Sequence, residues 1–368
     1  MSTQFKICFV ALNGYPVLKG GANFMGGAEL QQSYLGAELA SRGHQVSFIT
    51  MDHGQGAEEK IGNVRAIASF IPKEGIPGLR FFWPRLYKVW KALANSDADI
   101  FYVRCAGYLL AVVVFFARKH HKKVVYCCAN DPEFDPKKIE LHNFRDKWMF
   151  YWGLRRCDAV VVQNNLQKRL LKENFNREGV VIPNGFPSSE EPASPENILW
   201  VASFKKFKRP EIFVELAKIF PQENFVMVGG SVSSNKEAYE SLKKESQKVP
   251  NLRFCGHMPL SDAEKEFSMA KALINTSIHE GFPNTFLQAW RKGVPVLSFV
   301  DPDNLIQSNQ LGYVATDMDD MKGKMNQLLR DSSLMSQNIR SYFEANLTIS
   351  AVVDSYEKFF LELMRKPI

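Results

Sequence analysis

Short apolar runs recur along this chain, each followed by a stretch of helical period. "FKICFVAL" near the N-terminus is continuously apolar, as expected of a strand buried on both faces. "HQVSFIT", "ADIFYVR", "KKVVYCC" and "DAVVVQ" continue the series. Helical patterns lie between them, the first being "GGAELQQSYLGAELASRG" behind a Gly26-Gly27 turn. Repeated β-α units predict a parallel, doubly wound sheet. Around 183–196, "PNGFPSSEEPASPE" is dense in Pro, Ser, Gly and Glu and reads as a linker. A second series then begins with "NILWVAS", and "NFVMVGG", "NLRFCG", "KALINTS" and "VPVLSF" follow with helical stretches among them. The pattern predicts an α/β protein of two similar halves with a crevice between them. Ligands of such sheets bind outside the carboxyl ends of the strands.

A chain of 368 residues is long for a single core, which agrees with two domains. Its formal net charge of +7 favours anionic partners such as lipid, nucleotide phosphates or nucleic acid. With neither a basic low-complexity tail nor zinc-finger spacing, nucleic acid is not expected. The six cysteines are scattered singly apart from Cys127-Cys128, a pattern of reduced core thiols in a cytoplasmic protein. The N-terminal apolar run is too short for a secretory signal and reads as the first strand. "YLLAVVVFFA" falls short of the ~20 residues needed to cross a bilayer, so no spanning segment is expected.

Candidate chemistry concentrates after the strand "KALINTS". Glu280 falls at that strand's carboxyl edge, and Pro283 suits the first turn of a helix ending near Gly293. Backbone N–H groups of Gly281, Phe282, Asn284 and Thr285 would surround a helix N-terminus, a setting for phosphate or a sugar oxygen. The competing reading makes Glu280 a solvated loop residue and Phe282 a core anchor.

"HEGFPNTFLQAWRKGVPVLSF" resembles the glutamate motif of retaining glycosyltransferases of family 4, which have the GT-B fold of two Rossmann-like domains. "GGAELQQSYLGAELASRGHQVSFIT", "VIPNG", "WVASFKKFKRPEIFVELA" and "NLRFCGHMP" follow the family's order, so the resemblance spans nearly the whole chain. It implies a last helix, "AVVDSYEKFFLEL", crossing back to the first domain. The expected domains are 1–187 plus about 352–368 for the acceptor and 188–351 for the nucleotide-sugar donor.

By the same resemblance Glu280 contacts the donor sugar, while the family's second glutamate, which binds ribose, is here Gln288. An amide still hydrogen-bonds hydroxyls but lacks the charge-assisted bond. The family's diphosphate-binding lysine corresponds to Lys208, and Ser203 stands where its arginine would be. Lys205, Lys206 or Arg209 would supply the missing charge on the leaving oxygens. Cations at a helix start are unfavourable by themselves, which also points to an anionic ligand. Gly26 and Gly27 would approach the donor phosphate or the acceptor. "MVGGS", with Gly229 and Gly230, and "CGHMP", with His257 and Met258, would cradle the nucleotide through backbone groups. His279 adjoins Glu280 and faces the same crevice. Where relatives carry a histidine near the reacting sugar this chain has "ANDPEFDP", making Asp131 a candidate base.

No Asp-x-Asp metal dyad stands at a matching place, so a metal-free reaction is expected, with the nucleotide-sugar as substrate and no resident cofactor. The expected activity is transfer of a sugar from a UDP-, GDP- or dTDP-sugar to a hydroxyl of a glycan or lipid-linked acceptor, with retention of configuration. The alternatives are a nucleotide-sugar epimerase on the same architecture and a degenerate nucleotide-sugar-binding partner, which Ser203 and Gln288 would mark. Finally, "GLRFFWPRLYKVWKAL" (78–93) interleaves Arg80, Arg85, Lys88 and Lys91 with five aromatic residues. Such a stretch suits an anionic membrane surface, making the protein peripheral on the inner face. An amphipathic helix packed on its own sheet is the other reading.

Overall fold

Lys6–Val10 (β1) has four of its five residues buried and shows why the first sheet forms. Ile7, Phe9 and Ala11 enter one apolar cluster while Cys8 and Val10 enter another, so both faces of the strand are covered. The structure is a computed structural model that describes residues 4–21, 26–76, 81–141, 143–189, 193–231 and 235–367. Seven further strands join β1: Gln45–Thr50 (β2), Glu58–Ile61 (β3), Val64–Ala68 (β4), Ile100–Arg104 (β5), Lys123–Cys127 (β6), Ala159–Val162 (β7) and Val180–Val181 (β8). Their order is β3-β4-β2-β1-β5-β6-β7-β8, parallel throughout except for the β3-β4 hairpin. Strand order reverses between β1 and β5.

The second sheet contains Asn197–Val201 (β9), Asn224–Val228 (β10), Leu252–Gly256 (β11), Ala270–Asn275 (β12), Val296–Ser298 (β13) and Gly312–Val314 (β14). All six are parallel in the order β11-β10-β9-β12-β13-β14, which reverses between β9 and β12. The chain thus comprises two Rossmann-like α/β units. One is formed by Met1–Gly21, Gly26–Gly185 and Ile349–Ile368, the other by Phe186–Thr348.

In the first unit, helices Gly27–Ser41 and Ile349–Arg365 cover one face of the sheet. The latter presents Val352, Val353, Tyr356, Phe359, Phe360 and Leu363 at helical spacing, and all six are buried against residues such as Ile7, Phe9 and Val46. Arg42 pins this helix to its neighbour, donating to Asp354 at 2.6 Å and Glu357 at 2.9 Å. At Gly36 an added Cβ would lie 2.5 Å from the Phe48 ring, so only glycine lets helix Gly27–Ser41 reach the sheet. Helices Tyr87–Asn95, Leu109–Lys119 and Phe144–Leu154 cover the opposite face. In the second unit Trp200, Phe213, Met227 and Ile274 pack beneath the 29-residue helix Met318–Asn346. Among the described residues no helix is long and apolar enough to cross a membrane.

Candidate functional site

The loops after β9 and β12 adjoin because these strands are neighbours at the reversal point, where doubly wound sheets hold ligands. After β9 the chain makes a 3-10 turn, Lys206–Lys208, and Arg209 then takes a left-handed conformation (φ 44°) before Pro210 opens helix Pro210–Ile219. Non-glycine residues rarely adopt that conformation, so the turn must be held from outside. Thr276 and Arg209 hold it. The Thr276 hydroxyl donates to the Lys208 carbonyl at 2.5 Å and accepts from Trp200 Nε1 at 3.0 Å, while Arg209 Nε donates to the Thr276 carbonyl at 2.8 Å. The Arg209 guanidinium also lies over the Phe299 ring, 4.4 Å from its centroid.

This framework brings Lys208 and Glu280 into an ion pair, although they stand 72 residues apart in sequence. The pair is largely enclosed, with side-chain exposures of 16% and 11%. Glu280 Oε1 also accepts from Ser277 Oγ at 2.7 Å and Asn275 Nδ2 at 3.2 Å, and Asn275 Oδ1 accepts from the Ser277 amide at 3.0 Å. A carboxylate with this many donors is fixed in direction. His279 stacks on Phe207 at 4.5 Å, and Lys208 and Lys205 lie 5.1 and 5.6 Å from the same ring. Sequence reading named Lys208, Glu280, His279 and Lys205, but missed Phe207, Asn275, Thr276 and Ser277. Polar residues that stay buried at the end of an apolar strand are the signal that would have revealed the last three.

Pro283 caps helix Asn284–Trp290 instead of lying inside it, and Gly281 and Phe282 are buried ahead of it, with Asn284 and Thr285 in its first turn. Gln288 is buried on that helix, and its Nε2 donates to Glu264 Oε1 at 2.7 Å. Arg291 pairs with the other oxygen of Glu264. Glu264, on helix Leu260–Ser268, was not anticipated. Gln288 and Arg291, three residues apart, both seek one acceptor, and that spacing was the available hint.

Gly229 faces the chain itself. An added Cβ there would lie 1.8 Å from the Ala202 carbonyl oxygen, so the bare backbone lets the ends of β9 and β10 meet. Gly230 accepts from the Phe204 amide at 3.1 Å, and the Ser203 carbonyl accepts from the Lys205 amide at 2.8 Å. His257 is exposed after β11 and Met258 half-buried. In the first unit, Gly26 and Gly27 begin helix Gly27–Ser41, with no side chain capping it. Asp131 opens the 3-10 turn Asp131–Phe134, and its Oδ1 accepts from Gln167 Nε2 at 2.9 Å and Asn164 Nδ2 at 3.3 Å. Nearby Glu133, missed from sequence, is buried. Its pKa is raised by that burial, against hydrogen bonds from the Tyr126 hydroxyl at 2.6 Å and the Ala129 amide at 3.0 Å. Among the described residues no group of three His, Cys, Asp or Glu is placed to hold a metal ion.

Comparison with known proteins agrees with this architecture. The family model described as "Glycosyltransferase Family 4" matches residues 25–190, and "Glycosyl transferases group 1" matches 195–331. Together they span both units, and the chain belongs to this class, the group 1/family 4 glycosyltransferases of GT-B fold. Solved structures of that fold superpose over nearly its whole length. Sucrose-phosphate synthase from Thermosynechococcus elongatus is 18% identical with a TM-score of 0.75, covering 97% of this chain and 98% of its own. Anabaena HepE in complex with UDP-glucose is 15% identical (TM-score 0.73; 98% and 100% covered). The catalytic domain of Arabidopsis thaliana starch synthase IV, bound to ADP and acarbose, is 11% identical (TM-score 0.73; 99% and 100% covered). No curated protein matches by sequence.

Proposed function

We propose that this glycosyltransferase moves a sugar from a nucleotide-sugar donor to a hydroxyl acceptor with retention of configuration, and that the donor lies against Lys208 and Glu280. The observation that carries the reading is the enclosed Lys208–Glu280 pair at the strand-order reversal of the second unit. A cation there meets the charge that develops as a nucleoside diphosphate departs. In the step, the bond from the anomeric carbon to the diphosphate oxygen breaks and its electron pair stays on that oxygen. The acceptor hydroxyl bonds to the same face of the carbon, and its proton passes to the departing phosphate. Lys208 stabilises the leaving oxygens, with Lys205 beside it on the Phe207 ring. Glu280, aimed by Ser277 and Asn275, orients the sugar hydroxyls. Gln288, with Gly281, Phe282, Asn284 and Thr285 around the turn, contacts the rest of the donor. Gly26 and Gly27 would approach the donor phosphate or the acceptor, and Asp131 would serve as a base near the acceptor hydroxyl.

The test is donor hydrolysis across UDP-, GDP- and dTDP-sugars. The wild-type chain should release nucleoside diphosphate from one of them, and Lys208→Ala should lower that rate by about 10²–10³. Glu280→Gln should lose turnover while still binding nucleotide. Full activity in either variant would refute the site, and a melting-temperature rise with nucleotide but no release would mark a binder.

We further propose peripheral attachment to an anionic membrane. Phe82, Trp83, Tyr87, Phe115, Phe144 and Trp148 are all exposed, Phe144 at 84%. Contacts join the elements that bear them: Arg145 lies 3.9 Å from the Phe81 ring centroid, and Trp90 packs on Phe115 at 5.9 Å. Aromatic rings with Arg145 over Phe81 and Lys119 over Trp90 suit a headgroup zone. Residues 77–80, including Arg80, lie outside the described residues.

A further inference from the structure

Arg104 is the last residue of β5, and β5 adjoins β1 where the order of the first sheet reverses. The crevice outside the carboxyl ends at such a point is where these sheets hold ligands. Nη2 of Arg104 donates to Asn184 Oδ1 at 2.9 Å, whereas its enclosed Nε has no hydrogen-bond partner among the described residues. No described Asp or Glu is ion-paired with it. Tyr102 and Tyr356 stand close by as hydroxyls that burial keeps protonated, and they supply no negative charge. Glu133 feels the Arg104 charge, but its Oε2 already receives the Tyr126 hydroxyl and the Ala129 amide. Gln31 Oε1 accepts from the amide of Gly185, the neighbour of Asn184, at 3.3 Å.

Arg104 is half-buried with its Nε enclosed, and a guanidinium partly withdrawn from water without a counter-charge is destabilising, so proteins pair such groups or use them. Its planar fork matches a phosphate or carboxylate through two parallel hydrogen bonds. We propose that Arg104 anchors a second oxyanion site in the first unit, at the carboxyl end of β5. The site takes a phosphate or carboxylate group, carried either by the acceptor or by the donor's diphosphate. The existence of the site does not depend on the sugar-transfer reading; only the naming of those two sources does.

The test is thermal melting of the full chain with inorganic phosphate, against sodium chloride of equal ionic strength. Lys208→Ala is present in one set to silence the other anion site. In that set phosphate should raise the melting temperature by a few degrees, and adding Arg104→Gln should abolish the rise. Arg104→Gln alone should melt at or above the wild type in chloride, because it removes an uncompensated charge. Arg104→Lys should recover part of the phosphate response. A UDP-induced rise that survives Arg104→Gln assigns the oxyanion to the acceptor, and one that disappears assigns it to the donor diphosphate. No phosphate response in the Lys208→Ala chain, or a response that persists with Arg104→Gln, overturns the site. So does an Arg104→Gln chain that melts several degrees lower in chloride and keeps its phosphate response, which marks a structural arginine. Should UDP fail to stabilise the wild type, the donor reading falls while the phosphate result still decides this one.

Discussion

Single atoms decide much here, and Gly229 is the sharpest case. Its missing side chain is what allows the Ala202 carbonyl to sit where a Cβ would be, 1.8 Å away. Both partners are backbone and neither can rotate aside. Gly229→Ala should therefore cost at least ~2 kcal/mol of stability, read by chemical denaturation, and also disturb the turn that carries Lys205 and Lys208. Glu133 gives a second residue-scale prediction. Burial raises its pKa above the ordinary 4.5, so the folded chain binds this proton more tightly than the unfolded one. Its contribution to stability is complete below 4.5 and is lost as pH rises through the raised value. Glu133→Gln should remove that slope, leaving a flatter stability profile across the window above 4.5. An unchanged profile would mean Glu133 is charged in the fold. At this scale the sequence was partly legible. Lys208 and Glu280 could be named because their motifs are local, whereas Glu264 and Arg104 could not. Their significance lies in a partner gained (Gln288) or lacking, which depends on packing across distant elements.

Elements were the most readable level. Strands buried on both faces, such as β1, β5 and β12, announce themselves as apolar runs, and the Pro- and Ser-rich stretch at 183–196 contains Gly185–Phe186, where one unit gives way to the other. Glu58–Ile61 and Val64–Ala68 escaped notice because an edge hairpin, "EEKIGNVRAIA", is half polar and short. The basic run after β9 read as a helix start, yet Arg209 interrupts it with a left-handed residue that only the Thr276 contacts explain. Helix Ile349–Arg365 was expected from the family resemblance, and its docking yields a prediction. Phe360 is fully buried against the first sheet and packs on Phe5 at 6.0 Å. Phe360→Ala should cost about 4 kcal/mol and lower the melting of the first unit. Arg42→Ala, which releases Asp354 and Glu357 from a more exposed contact, should cost about 1 kcal/mol. Equal effects from the two would mean that charge, not apolar burial, holds the helix.

At the scale of the whole molecule, a net charge of +7 combines with an exposed aromatic surface on the first unit. Co-sedimentation with vesicles containing phosphatidylserine should capture the chain at low salt and release it progressively as salt rises, while neutral vesicles should not capture it. Trp83→Ser with Trp148→Ser should weaken capture at least tenfold and leave donor hydrolysis unchanged. Equal binding to neutral vesicles would replace charge with plain apolar insertion, and no binding at all would leave those rings to a protein partner.

The first unit borrows its closing helix from residues 349–365, beyond the entire second unit. On the ribosome, at about 5–20 residues per second, the second unit can finish while the first still waits with Phe5 and Tyr102 lacking their partners Phe360 and Tyr356. The unit whose synthesis starts earlier is therefore the later one to mature, and the growing polypeptide carries an incompletely covered apolar face until residues 349–365 emerge.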